Sequence, residues 1–414
     1  MSRVVIIAVG SRGDVAPLTG VGVALQQAGH TVSLAAYTPF ADMITGCGLA
    51  FRELPAELQL AADGAEVQPM KGLAAFASPA GMRALGQDIL AAVADEPADI
   101  VLLSPFAEMA GHPWAESKAI PSLGVRLQPL SATALHPPAI IGAGSAGAVA
   151  NRAAAQVVSW LVDRTYGRVV SDFRRELGLP RTSTRALRRQ RTAANWPILH
   201  GYSPLVAPRP PDWRPGLDVT GYWWPAASAG WTPPAELTRF LSEGPAPVFV
   251  GFGSMMTTPA RAEQLSGIIA QAAKKAGVRT LIQAGWTKLH SDDDTVMTIG
   301  DTPHDWLFPR VSAVAHHCGA GTTAAGLRAG VPTIALPAYG DGPFWAARIT
   351  ALGVAAATIN QRRLTADRLA AAMSAAVTDQ RLRDNARRLR ADISAEDGVA
   401  HAVAAVESLL HQST

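Results

Sequence analysis

Cysteine is almost absent from this 414-residue chain, which has only Cys47 and Cys318. Two thiols make no disulfide framework, so the class of small stapled secreted domains is excluded and a reducing compartment, the cytoplasm, is expected. Lysine is scarce as well. It occurs at 71, 118, 274, 275 and 288, which leaves arginine 31 of the 36 basic residues. With heavy alanine use, that bias points to a GC-rich bacterial genome such as an actinobacterium's. A large charge of one sign is also missing. The formal net charge of +3 gives no electrostatic reason to expect nucleic acid as a partner. Long greasy runs are lacking too. The longest uncharged stretch, Leu127 to Ala150, carries three prolines and many small residues. It suits a loop or helix bordering an apolar pocket better than a membrane span. The start, MSRVVIIAVGSRGD, has no small-residue cleavage site behind its apolar run and reads as a buried strand.

What is present is α/β patterning, and the length suggests two domains. Val4–Val9 is a short apolar run. Pro17–Ala28 has helical spacing, Thr31–Ala36 reads as a strand, Met82–Asp95 as a helix and Ile100–Leu103 as a strand. Strand, helix, strand in this order predicts a parallel sheet. The pattern degrades between about 125 and 235, where APRPPDWRPG and WWPAASAGWTPPAEL have linker composition. A second series then begins at Pro247–Phe252 and continues through Thr280–Gln283, Ser312–Ala315 and Thr333–Leu336. Each series opens on a buried strand ending in Gly-Ser. Two doubly wound sheets facing a shared cleft are expected, with ligands at the strand ends.

The stretch HHCGAGTTAAGLRAGVPTIALPAYGDGPFWA, from His316 to Ala346, joins a strand, a glycine turn and a helix. Glycines let the backbone approach a ligand, and the free N–H groups of the first helical turn attract an anion. A phosphate fits there. Two other readings stand beside it. Gly319, Gly321 and Ala324 match a dinucleotide fingerprint, with Asp341 near the ribose-binding spacing. The loop is otherwise simply a tight strand-to-helix turn. His316 and His317 are adjacent at a strand end and point to opposite sides. One faces the ligand and the other belongs to the core.

This stretch closely resembles the donor-site signature of the family 1 glycosyltransferases of GT-B fold, in the bacterial branch of glycopeptide, macrolide and sterol-type enzymes. GSRGDVAPLTGVGVALQQAGHTVSLAA and GDTPHDWLFPRV resemble the same branch. Together the motifs cover about a quarter of the chain. The resemblance implies an acceptor-binding Rossmann-like domain over 1–215 and a nucleotide-sugar-binding one over 216–414. It also implies inverting transfer of a hexose or deoxyhexose from a UDP- or TDP-sugar to a hydroxyl, with no metal or other cofactor.

By that pattern Asp14 is the base. Its bland alternative is a helix cap. Plant members place a histidine near this point, paired with an aspartate; here no histidine stands there, and IVLLSPF offers Ser104 without a nearby acid. The diphosphate falls to Ser11, Arg12, Ser254, His317, Gly319, Ala320, Gly321 and Thr322, although Arg12 also reads as a surface residue paired with an acid. Thr302 and Trp286 fall beside the nucleoside, with core packing the alternative for Trp286. Asp341 and Gly342 hold the sugar. The family usually has Asp-Gln here, so Gly342 leaves the donor sugar open, and a deoxysugar or a sugar bulkier at that edge is the expectation. The stretches 55–85 and 126–160 suit loops around a hydrophobic acceptor such as a glycolipid, sterol or polyketide-like compound. RALRRQR (185–191) reads as a solvated basic face or a rest on anionic lipid at the inner side of a membrane. A sugar-nucleotide epimerase of the same fold and an inactive helper protein are the competing readings.

Overall fold

The computed structural model describes residues 1–55, 77–142, 144–227 and 230–412. The first apolar runs become a seven-stranded parallel sheet: β1 (Arg3–Ile7), β2 (Thr31–Tyr37), β3 (Ala50–Leu54), β4 (Ile100–Leu103), β5 (Ser122–Arg126), β6 (Ile198–His200) and β7 (Leu217–Val219). Their spatial order is β3-β2-β1-β4-β5-β6-β7. The second sheet has six parallel strands: β8 (Val248–Gly251), β9 (Thr280–Gln283), β10 (Val296–Ile299), β11 (Ala313–His316), β12 (Thr333–Ala335) and β13 (Ala355–Thr358), in the order β10-β9-β8-β11-β12-β13. Strands β1, β4 and β8 are buried along almost their whole length, which is why they read as continuous apolar runs rather than alternating ones.

Each sheet reverses its strand order once, between β1 and β4 and between β8 and β11. In open α/β sheets the crevice outside the strand ends at such a reversal is where ligands bind. Both Gly-Ser turns seen in the sequence leave a strand at these two points.

The first helix runs from Arg12 to Gln27, five residues earlier than the spacing from Pro17 predicts. Asp14, in its first turn, accepts from the Ser11 N–H at 2.8 Å and so satisfies a donor that the helix leaves unpaired. Pro17 lies inside the helix. The region without clear pattern holds two helices, Ala148–Glu176 and Thr184–Ala193, as well as β6 and β7. Alanine-rich runs have helix propensity but little face periodicity, which is why the longer helix was illegible.

The chain crosses back at its end. Helix Gly398–Gln412 packs Ala402 and Val406 into the core of the first sheet. Behind the cleft, Tyr202, Val206 and Tyr222 share an apolar cluster with Phe344, Trp345, Leu389 and Ile393. The two halves are therefore joined by packed side chains as well as by the linker.

The return helix starts against the linker backbone. A Cβ on Gly398 would lie 2.4 Å from the carbonyl carbon of Gly221 and 2.7 Å from the Tyr222 oxygen. Backbone on both sides cannot give way cheaply. Gly398→Ala is expected to destabilise the protein by about 1–3 kcal/mol, read as a lower midpoint in urea unfolding. A midpoint equal to the parent's would mean that the helix start is free to shift.

Candidate active site

The second sheet lays its site residues out in strand order. Thr302 follows β10, Trp286 follows β9, Ser254 follows β8, His317 follows β11 and Asp341 lies in the loop beyond β12. Four strand spacings of about 4.8 Å make about 19 Å, the scale of an extended nucleotide sugar. Trp286 is about half exposed, and its backbone N–H donates to the Gly253 carbonyl. That removes core packing as its role and sets it beside the Ser254 turn. Thr302 is buried, with its hydroxyl donating to the Gly300 carbonyl at 3.2 Å.

The two histidines separate as adjacent strand-end residues should. His316 is fully buried, and its Nδ1 accepts from the Cys318 N–H at 3.0 Å. That bond holds Cys318 in the left-handed conformation (φ 65°) that turns the chain toward Gly319. His317 lies between two glycines. A Cβ at Gly253 would come 3.0 Å from its ring, and one at Gly319 would come 2.5 Å. Glycine at both positions is thus what admits the ring. The His317 Nδ1 is buried without a partner. Burial pushes the imidazole down to about 4, so at neutral pH it is a neutral ring with one N–H to offer.

Helix Ala320–Ala329 begins directly after this turn, with Gly319 as its cap residue and Ala320, Gly321 and Thr322 in its first turn. It faces the start of the first helix. A Cβ on Gly321 would sit 3.8 Å from the Gly13 Cα. Two helix N-termini therefore converge, each carrying partial positive charge and unpaired N–H groups. Such a point favours an anion without supplying a formal cation. Ala320 packs against the first sheet's core. Arg12 is not directed to a bare phosphate site here. It is ion-paired with Asp301 across the cleft, in the exposed manner that its alternative reading described. Burial, with the Arg12 charge as a lesser cause, holds His304 down at about 4.

Asp14 and Asp341 come from opposite halves and approach closely enough for the Asp14 charge to act on Asp341. Asp14 serves the first helix as the third residue of its capping arrangement, with Ser11 as the cap itself. Its Oδ2 accepts from both the Ser11 N–H and the Ser11 hydroxyl, at 2.8 and 2.9 Å. Gly10 has φ 145°, and a Cβ there would meet Oδ2 at 2.4 Å, so the carboxylate is folded over bare backbone. Burial raises the Asp14 pKa despite the Ser11 bonds. Asp341 Oδ2 accepts from the Trp345 indole N–H at 2.8 Å, and Trp345 is fully buried, which orients the carboxylate. Burial, with the Asp14 charge as a lesser cause, raises Asp341 to about 6. Ser104 has a structural task. Its Oγ accepts from the Val9 N–H at 2.9 Å and ties the ends of β1 and β4 together.

Sequence reasoning missed Gln128. Its side-chain amide reaches both Asp14 and Asp341 and favours their charged forms. It stands at the head of the uncharged stretch leaving β5, and only the spatial meeting of the two carboxylates exposes its position. Gly342 acquires a packing reason. A Cβ there would lie 2.7 Å from the His317 carbonyl oxygen, so helix Gly342–Ala351 starts against the glycine turn that follows β11. The expectation that glycine marks a preference for a deoxysugar or a bulkier sugar is not needed to explain it. Of the acceptor stretches, residues 56–76 lie outside the described residues, while Gln128 joins the second stretch to the carboxylates. Among the described residues no group of three or more His, Cys, Asp or Glu is placed to hold a metal ion.

Two sheets reversed at facing points, converging helix N-termini and a carboxylate from each half define a two-domain GT-B architecture. Comparisons with known proteins agree. The glycosyltransferase family 28 N-terminal domain matches residues 4–137, and the erythromycin biosynthesis protein CIII-like C-terminal domain matches residues 278–409. Sterol 3-beta-glucosyltransferase UGT80A2 of Arabidopsis thaliana is 33% identical over 97% of the chain, and the Saccharomyces cerevisiae sterol 3-beta-glucosyltransferase is 32% identical over 97%. The chain spans only 65% and 34% of those two proteins. Among solved structures, the kitacinnamycin glycotransferase and the glycosyltransferase VinC in complex with DTDP each superpose with a TM-score of 0.69. They are 18% and 17% identical, cover 99% of this chain and are covered over 99% and 100% of their own, a likeness of fold. The chain belongs to the family 1 glycosyltransferases. The sterol enzymes named here are plant and fungal, so they lend no support to the actinobacterial origin expected from composition.

The histidine assignment is testable. Losing a hydrogen bond to a charged phosphate costs about 1.5–3 kcal/mol, so His317→Ala should weaken UDP or TDP binding by roughly one to two decades. His316→Ala should lower stability more than nucleotide affinity, because it removes the acceptor for the Cys318 N–H. Calorimetric titration and thermal melts of both variants decide it, and the reverse ranking would exchange their roles. Gly342→Gln should cost about 1–3 kcal/mol of stability and lower activity with every donor, through the clash with the His317 carbonyl. A stable variant with improved use of UDP-glucose would restore a specificity role for this glycine.

Proposed function

We propose that this protein is an inverting, metal-independent glycosyltransferase. It moves a hexose or deoxyhexose from a UDP- or TDP-sugar to the hydroxyl of a hydrophobic acceptor, with a sterol-like ring system as the acceptor class that its relatives favour. The observation that carries this reading is the pairing of Asp14 with Asp341 across the cleft, beside the convergent helix N-termini.

In this mechanism the donor lies along the second sheet, nucleoside at Thr302 and Trp286, diphosphate at Ser254 and the His317–Thr322 turn, sugar at Asp341. The Asp14 carboxylate takes the proton of the acceptor hydroxyl. The hydroxyl oxygen forms a bond to the anomeric carbon as the bond from that carbon to the diphosphate oxygen breaks on the opposite face. The departing diphosphate takes the electron pair, and its charge is met by the helix N–H groups and the His317 N–H. Asp341 accepts from sugar hydroxyls and fixes the anomeric carbon in line. The nucleotide-diphosphate sugar is a co-substrate, and no further cofactor takes part.

Asp14→Asn keeps an oxygen to accept from Ser11, so folding and nucleotide binding should survive. Turnover should fall by about 10²–10⁴-fold. Because burial raises the Asp14 pKa and only the carboxylate accepts the proton, kcat/KM in the parent should rise with pH through a midpoint above the ordinary aspartate range. Assays pair UDP- and TDP-sugars with sterols and other lipophilic alcohols, and with no acceptor. Turnover of donor alone to an isomeric sugar nucleotide would favour an epimerase. A fully active Asp14→Asn variant would remove Asp14 from the mechanism.

A further inference from the structure

The first half of helix Ala148–Glu176 presents an apolar face to solvent. Val149, Val157, Trp160, Leu161 and Val162 are 84, 55, 57, 49 and 43% exposed. Leu135, Ile140 and Ile141, in the loop leading to that helix, are about half exposed. Eight of the thirteen large apolar side chains exposed among the described residues thus fall between Leu135 and Val162. Scattered apolar residues on a surface need no explanation, but a contiguous concentration marks a surface that meets something.

The surroundings of this face are basic. From Ser131 to Ala193 the chain carries ten arginines against three acids, Asp163, Asp172 and Glu176. Asp163 pairs with Arg188 at 2.6 Å and Asp172 with Arg175, while Arg152, Arg174 and Arg191 pair with acids outside the segment, which leaves Arg164, Arg168, Arg181, Arg185 and Arg189 as its exposed cations outside these ion pairs. The whole protein has a net charge of only +3, so this segment holds its positive excess. Arg164 lies over the Trp160 ring at 5.8 Å, combining an aromatic and a cation on one exposed surface. Asn151, Arg152, Asp163, Arg164 and Arg168 interrupt the helix, which suits it to lie on a bilayer rather than within one. Among the described residues no helix is long and apolar enough to cross a membrane.

The face is continuous with the reacting groups. The loop begins at Gln128, beside Asp14 and Asp341. His136 then meets Phe344 edge-on at 5.0 Å, and Ala139 is buried in the cluster between the halves. Ile140 and Ile141 follow and are exposed.

We propose that this face docks on the surface of an anionic lipid bilayer. The loop Gln128–Ile141 then gives a lipophilic acceptor a path from the bilayer to the cleft, a purpose that rests on the proposed transfer reaction. The charge complementarity of the five exposed arginines outside those ion pairs with acidic headgroups selects the bilayer over a second copy of this chain, which presents the same positive surface.

Sedimentation of the full chain with vesicles tests this without donor or acceptor, so a negative result leaves the transferase reading intact. Vesicles of phosphatidylcholine containing phosphatidylglycerol should bind the protein, and pure phosphatidylcholine or high salt should weaken binding. Trp160→Glu combined with Leu161→Glu should lower the partition coefficient by about tenfold or more, as should Arg164→Glu. Both variants should keep the parent's melting temperature and nucleotide affinity, since these side chains are exposed and distant in sequence from the donor turn. Failure of the parent to sediment with anionic vesicles overturns the proposal. So does binding unchanged by the double substitution, or conversion of a parent oligomer to monomer by that substitution, which would make a second copy the occupant.

Discussion

The site depends on a head-to-head meeting of two helix N-termini, with only the backbone of Gly13 and Gly321 between them. Aligned peptide dipoles make that arrangement unfavourable in an empty cleft. The neighbouring groups soften it. Asp14 occupies the first turn of one helix, and Arg12 is drawn to Asp301. An anion bound at the junction relieves the remaining strain of like ends. A Cβ on Gly13 or Gly321 would make only ordinary contacts, at 3.6 and 3.8 Å, so the approach is one of backbones and does not by itself forbid a side chain.

The chemistry of the pocket follows from how little formal charge it carries. His317, His316 and His304 are neutral at physiological pH because burial penalises the imidazolium. Asp341 is raised to about 6 and Asp14 also lies above its ordinary value, so neither carboxylate is strongly held in its charged form. A diphosphate would be met by dipoles and neutral N–H groups rather than by a buried salt bridge. Removing one partner of a buried ion pair is costly. A site built from dipoles avoids leaving such an unpaired charge when the nucleotide departs.

Much of this was legible because it is local. The Gly-Ser strand ends, the HHCGAG turn and the aspartate after β12 each sit within a short stretch whose residue types state the backbone geometry. Parallel sheets followed from buried apolar runs. The illegible parts are long-range. Nothing near Gln128 announces that residue 341 will come beside it. Nothing near Gly342 announces the carbonyl of His317. The reading of Gly342 as a donor-selecting gap came from a neighbour-by-neighbour match, and the close approach that explains it is a tertiary fact. The long helix from Ala148 was hidden because its alanines and outward-facing apolar residues mix with polar ones, Asn151 among the buried, so that no face carries a clean period.

The return of helix Gly398–Gln412 to the first sheet has a consequence for synthesis. Ala402 and Val406 complete a core whose first strand is made nearly four hundred residues earlier. A growing chain adds residues at about 5–20 per second, so the first half, whose last strand ends at Val219, waits about 10–40 s with part of its apolar surface uncovered. Domain-by-domain maturation from the N-terminus is therefore blocked at its last step. Final closure of the first core must come after the second half has been made, so the two halves reach their native state together rather than in sequence.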